Sequence, residues 1–208
     1  MSVCSYYRID CQPLTNMNDL HHLNEPKSIR SIDHDSRAIG FNMPSEQLTC
    51  AFLRTIAAIK PNGKFLELGS GTGLATAWIL DGMDANSHLT TIDLEPIFLE
   101  ILDRHLGTDL RLTVVCGDGD DLLRSLQGQE FDFIFADAWS GKYQLLDEAL
   151  DLLKPGGIYV IDDMLPQPNW PEGHGAKVDR LIATLEARTD LRISKMSWAS
   201  GIIIATKI

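Results

Sequence analysis

Three glycines separated by small hydroxyl residues follow a short apolar run in "KFLELGSGTGLAT", residues 64–76. Glycines at this spacing let a backbone loop come close to a ligand, and a helix starting near Thr72 would offer free N–H groups to an anionic group such as a carboxylate. A phosphate-binding P-loop needs Lys followed by Ser or Thr after its glycines, and neither stands there. A dinucleotide loop needs G-x-G-x-x-G, but the third glycine comes one residue early and Leu74 fills the expected slot. The next apolar run, "HLTTID", ends in Asp93, an acid suited to ribose hydroxyls. These features point to a nucleoside-like ligand that has a ribose and lacks a pyrophosphate.

Further acids end the apolar runs that follow. Glu67 precedes the glycines, Asp118 ends the third run, Asp137 the fourth, and Asp162 and Asp163 the fifth. The chain has 29 acids in 208 residues, so five acidic run-ends in succession exceed chance and describe an acidic rim. Any one of them taken singly reads equally well as a turn or cap carboxylate. His34 and His174, and Trp139 and Trp170, lie in segments able to fold over such a rim. Solvated histidines and packed tryptophans are the ordinary reading of these four. Met43 and Ser45 stand just before the first strong helical pattern.

The elements that must hold these residues alternate. Strand-length runs occur at "KFLEL", "HLTTID", "RLTVVCG", "FDFIFAD" and "GIYVID", with helical patterns over 73–82, 95–106, 119–126 and 142–153 between them. Strand-helix alternation of this kind gives right-handed crossovers and a parallel sheet covered on both faces. Ligands of such sheets sit at the carboxyl ends of the strands, where the strand order reverses. A helix is expected over 175–188. "LRISKMSWA" and "GIIIATKI" are joined too tightly for a crossover helix and must pair antiparallel. The expected architecture is a doubly wound, Rossmann-like sheet of seven mostly parallel strands with an antiparallel last strand. A helix from Ser45 to "KPNG" opens the main domain, residues 45–208. Residues 1–44 are polar, hold prolines at 13, 26 and 44, and are expected to form a lid or a dimer contact with at most a short helix.

Composition narrows the function. The formal net charge of -11 argues against a nucleic-acid surface, which is bound mainly through Lys and Arg. Cys4, Cys11, Cys50 and Cys116 are scattered without metal-ligand spacing and read as reduced thiols. No apolar run reaches the roughly 18 residues of a membrane span, and no signal peptide is evident. A soluble, cytoplasmic chain is expected, somewhat more readily a homodimer than a monomer.

The pattern E-x-G-x-G-x-G, an acid ending the second strand and "GD" ending the third resembles the class I S-adenosylmethionine-dependent methyltransferases over roughly residues 45–208. That resemblance implies a cofactor site of Glu67, Gly69, Ser70, Gly71, Gly73, Asp93, Leu94, Gly117, Asp118 and Asp137. The glycine loop would lie under the methionine part, Asp93 at the ribose and Asp118 near the adenine. "FDFIFADAWSGKY" followed by "LLKPGGIYVIDDM" is similar, more narrowly, to cation-dependent O-methyltransferases of the catechol and caffeoyl-CoA type. This implies a divalent cation (Mg²⁺, Mn²⁺ or Ca²⁺) at Asp137, Asp162 and Asp163, with Asp163 standing where that group has Asn. The lysine base of that group falls at Ser140, and Lys142 is two residues further on. Asp137 and Lys142 are the candidate catalytic residues. The expected activity moves a methyl group from S-adenosylmethionine to an oxygen of a small-molecule acceptor, assisted by a divalent cation. The alternatives are a metal-independent methyltransferase and a non-catalytic S-adenosylmethionine-binding protein.

Overall fold

The computed structural model describes residues 18–21 and 23–208 of the 208-residue chain. Cys4 and Cys11 lie outside the described residues, while Cys50 is buried and Cys116 exposed, both as free thiols. Seven strands form one sheet in the order β3-β2-β1-β4-β5-β7-β6. Here β1 is Lys64–Leu68, β2 His88–Asp93, β3 Leu112–Cys116, β4 Phe131–Ala136, β5 Leu153–Ile161, β6 Leu191–Met196 and β7 Ile202–Lys207. The first five strands pair parallel, and β7 runs antiparallel to both β5 and β6. The chain winds outward from β1 to β3, then returns to place β4 on the other side of β1. The reversal therefore falls between β1 and β4.

Period-two alternation sends successive side chains to opposite faces of the sheet. Phe65, Phe133, Phe135 and Val160 pack on one face against helices α1 (Ile29–Ala38), α2 (Gln47–Ala58), α3 (Leu74–Gly82) and α4 (Pro96–Leu106). Leu66, Ile134, Ala136 and Tyr159 pack on the other against α5 (Gly119–Ser125), α6 (Leu146–Asp151) and α7 (His174–Glu186). Among the described residues no helix is long and apolar enough to cross a membrane.

Two elements differ from the sequence reading. The helix expected over 142–153 is reduced to α6, because Trp139 O accepts the N–H groups of Lys142, Tyr143 and Gln144 in a tight turn. Leu145 then takes a left-handed φ of 49° before the helix can start. The expected stop at "LKPGG" lies inside β5, where the pairing with β4 jumps from Phe131↔Leu153 to Phe133↔Ile158. In the N-terminal segment, α1 buries Ile29 and Ile32 in the first core cluster. Its Ser36 Oγ donates to Thr72 Oγ1 at 2.7 Å, tying α1 to the glycine loop.

Candidate active site

The carboxyl ends of β1, β2, β4 and β5 open into a cleft of about 580 Å³ at the reversal point. Its first wall is the glycine loop. Gly69 and Gly71 have φ of 93° and 50°, a region that favours glycine. A Cβ on Gly69 would lie 2.8 Å from Asp137 O, and one on Gly71 would lie 2.8 Å from the Phe41 ring. The loop therefore presents bare backbone to the cleft. Asp93 fixes its shape: Oδ2 accepts Gly71 N–H at 2.8 Å and Oδ1 accepts Glu95 N–H at 3.0 Å. Gly69, Ser70, Gly71, Asp93, Leu94 and Asp137 all line the cleft.

Glu67, Gly73, Gly117 and Asp118 do not line it. Glu67 is fully buried beneath the loop, where Oε2 accepts the hydroxyls of Thr76 and Thr91, both at 2.6 Å, and Oε1 has no partner. Burial pushes its pKa up to about 7, against the two hydroxyls, which pull it down. The side chain points back between α3 and β2, so strand alternation turns it from the ligand side. Gly73 packs on Leu102 of α4. Asp118 caps α5, its Oδ1 accepting the N–H groups of Asp120 at 2.7 Å and Asp121 at 3.3 Å. Gly117 leads into that cap and donates its N–H to Asp93 O at 3.0 Å.

The floor is made by the acids after β4 and β5. Asp137 Oδ2 accepts Ser45 Oγ–H at 3.0 Å, so the segment before α2 reaches the cleft. Asp162 Oδ1 accepts the Ser200 hydroxyl and, at 2.8 Å, the N–H of Asp163. Ser200 in turn lies 3.0 Å from Thr49 Oγ1 of α2. Lys142, only 5% exposed, is folded into the same floor and donates its Nζ to Asp162 O at 2.6 Å. Burial raises the pKa of all three acids, Asp162 to about 6; neighbouring acids add to this at Asp137 and Asp162, and Lys142 opposes it at each. Burial lowers the pKa of Lys142 itself, while Asp137, Asp163 and Asp162 hold its charged form.

A divalent cation fits this floor poorly. A hard cation needs free, converging oxygens. Here Ser45 engages Asp137, Ser200 and a backbone N–H engage Asp162, and an ammonium already stands among the acids. Among the described residues no group of three or more His, Cys, Asp or Glu side chains is disposed to hold a metal ion.

The far wall is aromatic. Trp139, Tyr143, Trp170 and His174 line the cleft together. The His174 ring lies 4.6 Å from Trp170 and 5.2 Å from Tyr143 between centroids, and its Nε2 is 3.1 Å from Tyr143 Oη. Its Nδ1 is buried without a partner. The sequence exposed Trp139, Trp170 and His174 as candidates but missed Tyr143. The aromatic density of "AWSGKY" is the only signal that could have pointed to it. His34 is elsewhere, beside Asp35 on α1 at 3.1 Å. Met43 lines the cleft mouth and is largely exposed.

Comparison with known proteins agrees with the fold. Residues 66–164 match the family model described as "Methyltransferase domain". A Mycobacterium sp. (strain KMS) relative named "Putative O-methyltransferase" is 31% identical over 117 residues, 53% of this chain and 53% of that protein. The same name is carried by a Mycobacterium avium (strain 104) protein, 28% identical over 116 residues, 53% of this chain and 52% of its own. The chain thus spans about half the length of the curated relatives it matches. Among solved structures, the O-methyltransferase TomG from Streptomyces achromogenes in complex with SAM superposes with a TM-score of 0.76 at 21% identity, covering 88% of this chain and 90% of that one. Cofactor-bound Rv0187 from MTB gives 0.79 at 20% identity, covering 91% and 93%. The stretch from the glycine loop to the acids after β5, residues 66–164, is thus similar to the methyltransferase-domain family.

Proposed function

We propose that this chain transfers the methyl group of S-adenosylmethionine to an oxygen of a small-molecule acceptor, and that it does so without a divalent cation. The cleft at the sheet reversal carries the first half of this reading. Bare backbone at Gly69 and Gly71, with Asp93 beside it, suits a ligand that has a ribose and an amino-acid end. When bound, S-adenosylmethionine supplies a methyl group activated by a sulfonium cation. A negative cleft favours that cation. Ser70 and Leu94 belong to the same end of the cleft, while Glu67, Gly73, Gly117 and Asp118 support the site from behind.

Lys142 is the observation that most favours metal independence. Its buried ammonium puts a positive charge among Asp137, Asp162 and Asp163, which would otherwise repel one another. Asp137 lies against Gly69 and also lines the cleft toward the aromatic wall. It is therefore the residue placed to accept the acceptor's proton as the C–O bond forms and the C–S bond breaks. Alignment of the two substrates supplies much of the remaining acceleration. The segment just before α2 acts as a lid: Phe41, Met43, Pro44 and Ser45 close one side of the cleft.

The test is label transfer from methyl-labelled S-adenosylmethionine to a panel of hydroxylated acceptors, using chelator-treated protein. Full turnover after chelation is expected. Asp137→Asn should lower turnover by roughly 10²–10⁴-fold, the usual range for loss of a general base. Activity lost to chelator and restored by Mg²⁺ or Mn²⁺ would return the cation to the site.

A further inference from the structure

A second groove of about 290 Å³ adjoins the cleft and shares Trp139, Lys142 and Tyr143 with it. Its remaining wall is α7, which supplies Lys177, Arg180 and Leu181. Lys177 and Arg180 are three residues apart and so lie on one face of the helix. Lys177 Nζ stands 3.6 Å above the Trp139 ring. Neither cation forms an ion pair with an acid among the described residues. That sets Arg180 apart, because the other arginines there pair with acids or donate to carbonyls, as Arg30 pairs with Glu25, Arg188 with Asp190 and Arg192 donates to Leu191 O. In a chain of net charge -11, two uncompensated cations beside the cleft call for an anion.

We infer that this groove holds the tail of the acceptor, and that the tail ends in an anionic group, a carboxylate or a phosphate. The inference rests on the methyltransferase reading and extends it to a class of substrate. The acceptor's hydroxyl lies at Asp137, its body crosses the joined edge of Trp139 and Tyr143, whose rings stand edge to face at 6.2 Å, and its charged end meets Lys177 and Arg180. Leu146 and Leu181 give the groove an apolar floor for that body. Arginine accepts a carboxylate or phosphate with two parallel N–H bonds. The lysine gives up only a cation–π contact with Trp139 to reach it.

The experiment titrates the demethylated cofactor into the protein first, then adds 3,4-dihydroxycinnamate or the uncharged 4-methylcatechol, following binding by calorimetry. The charged compound should bind at least tenfold more tightly. In the Lys177→Gln/Arg180→Gln double variant the two should bind alike, with affinity for the demethylated cofactor unchanged. Inorganic phosphate should compete only weakly. Equal affinities in the wild type, an advantage that survives in the double variant, or no binding of either compound would overturn the inference. So would phosphate binding as tightly as dihydroxycinnamate, which would mark a site for free anions. Failure of the demethylated cofactor to bind would instead overturn the methyltransferase reading beneath it.

Discussion

At the scale of single residues, Glu67 separates what the sequence says from what the fold does. The acid before the glycines looks like a ligand-facing group, yet it is the most deeply buried acid beneath them. Its folded pKa of about 7 lies above the ordinary 4.5, so the folded chain binds that proton more tightly than the unfolded chain. Its contribution to stability is fully present below pH 4.5 and is lost as the pH rises through 7. At 1.36 kcal/mol per pKa unit, the loss amounts to about 3 kcal/mol. Glu67→Gln keeps an acceptor for Thr76 and Thr91 without the charge. Thermal melts between pH 5 and 8 should show stability falling with pH in the wild type and a flatter profile in the variant. Parallel profiles would place the proton elsewhere. Asp118 teaches the same lesson, since a carboxylate at a strand end serves there as a helix cap. Lys142 does the reverse: a residue displaced by two positions from the resembling pattern reaches the acids through the turn around Trp139.

At the scale of elements, the sheet was legible because each strand is a short apolar run bounded by turn residues. Six of the seven strands lie where those runs stand, β5 starts four residues before its run, and the antiparallel last strand follows from the short link between β6 and β7. The shortening of α6 was not legible, because a left-handed Leu145 leaves no trace in hydrophobic periodicity. Nor was α1, whose ten residues carry mostly polar side chains around Ile29 and Ile32. That helix is held by packing that its own sequence does not advertise. Asp35 on it accepts from Arg104 at 2.7 Å and lies 2.9 Å from His105 Nε2, both on α4. His105 above all holds the Asp35 carboxyl well below the usual range. Ile32 is fully buried, so Ile32→Ala should cost about 2–5 kcal/mol in urea unfolding. Because Ser36 of α1 bonds Thr72, the same change should weaken cofactor binding. A loss below 1 kcal/mol would mean that α1 is only loosely docked.

At the scale of the molecule, one arrangement joins three parts: a glycine loop braced by Asp93, a floor of acids around a buried lysine, and an aromatic wall leading to a basic groove. The sequence located the first part and the acids of the second. The wall and groove draw on α7 and the 139–145 turn, which only the folded chain brings together. The central claim is that the loop holds S-adenosylmethionine rather than a dinucleotide. Calorimetric titration of the demethylated cofactor, with NADH as the control, tests it most directly. The account predicts saturable one-to-one binding of the demethylated cofactor and none of NADH. It also predicts an affinity lower by roughly 1–3 kcal/mol in Asp93→Ala, which removes an acceptor for ribose hydroxyls and a brace for Gly71. Saturable NADH binding, or an Asp93→Ala affinity equal to that of the wild type, would contradict it.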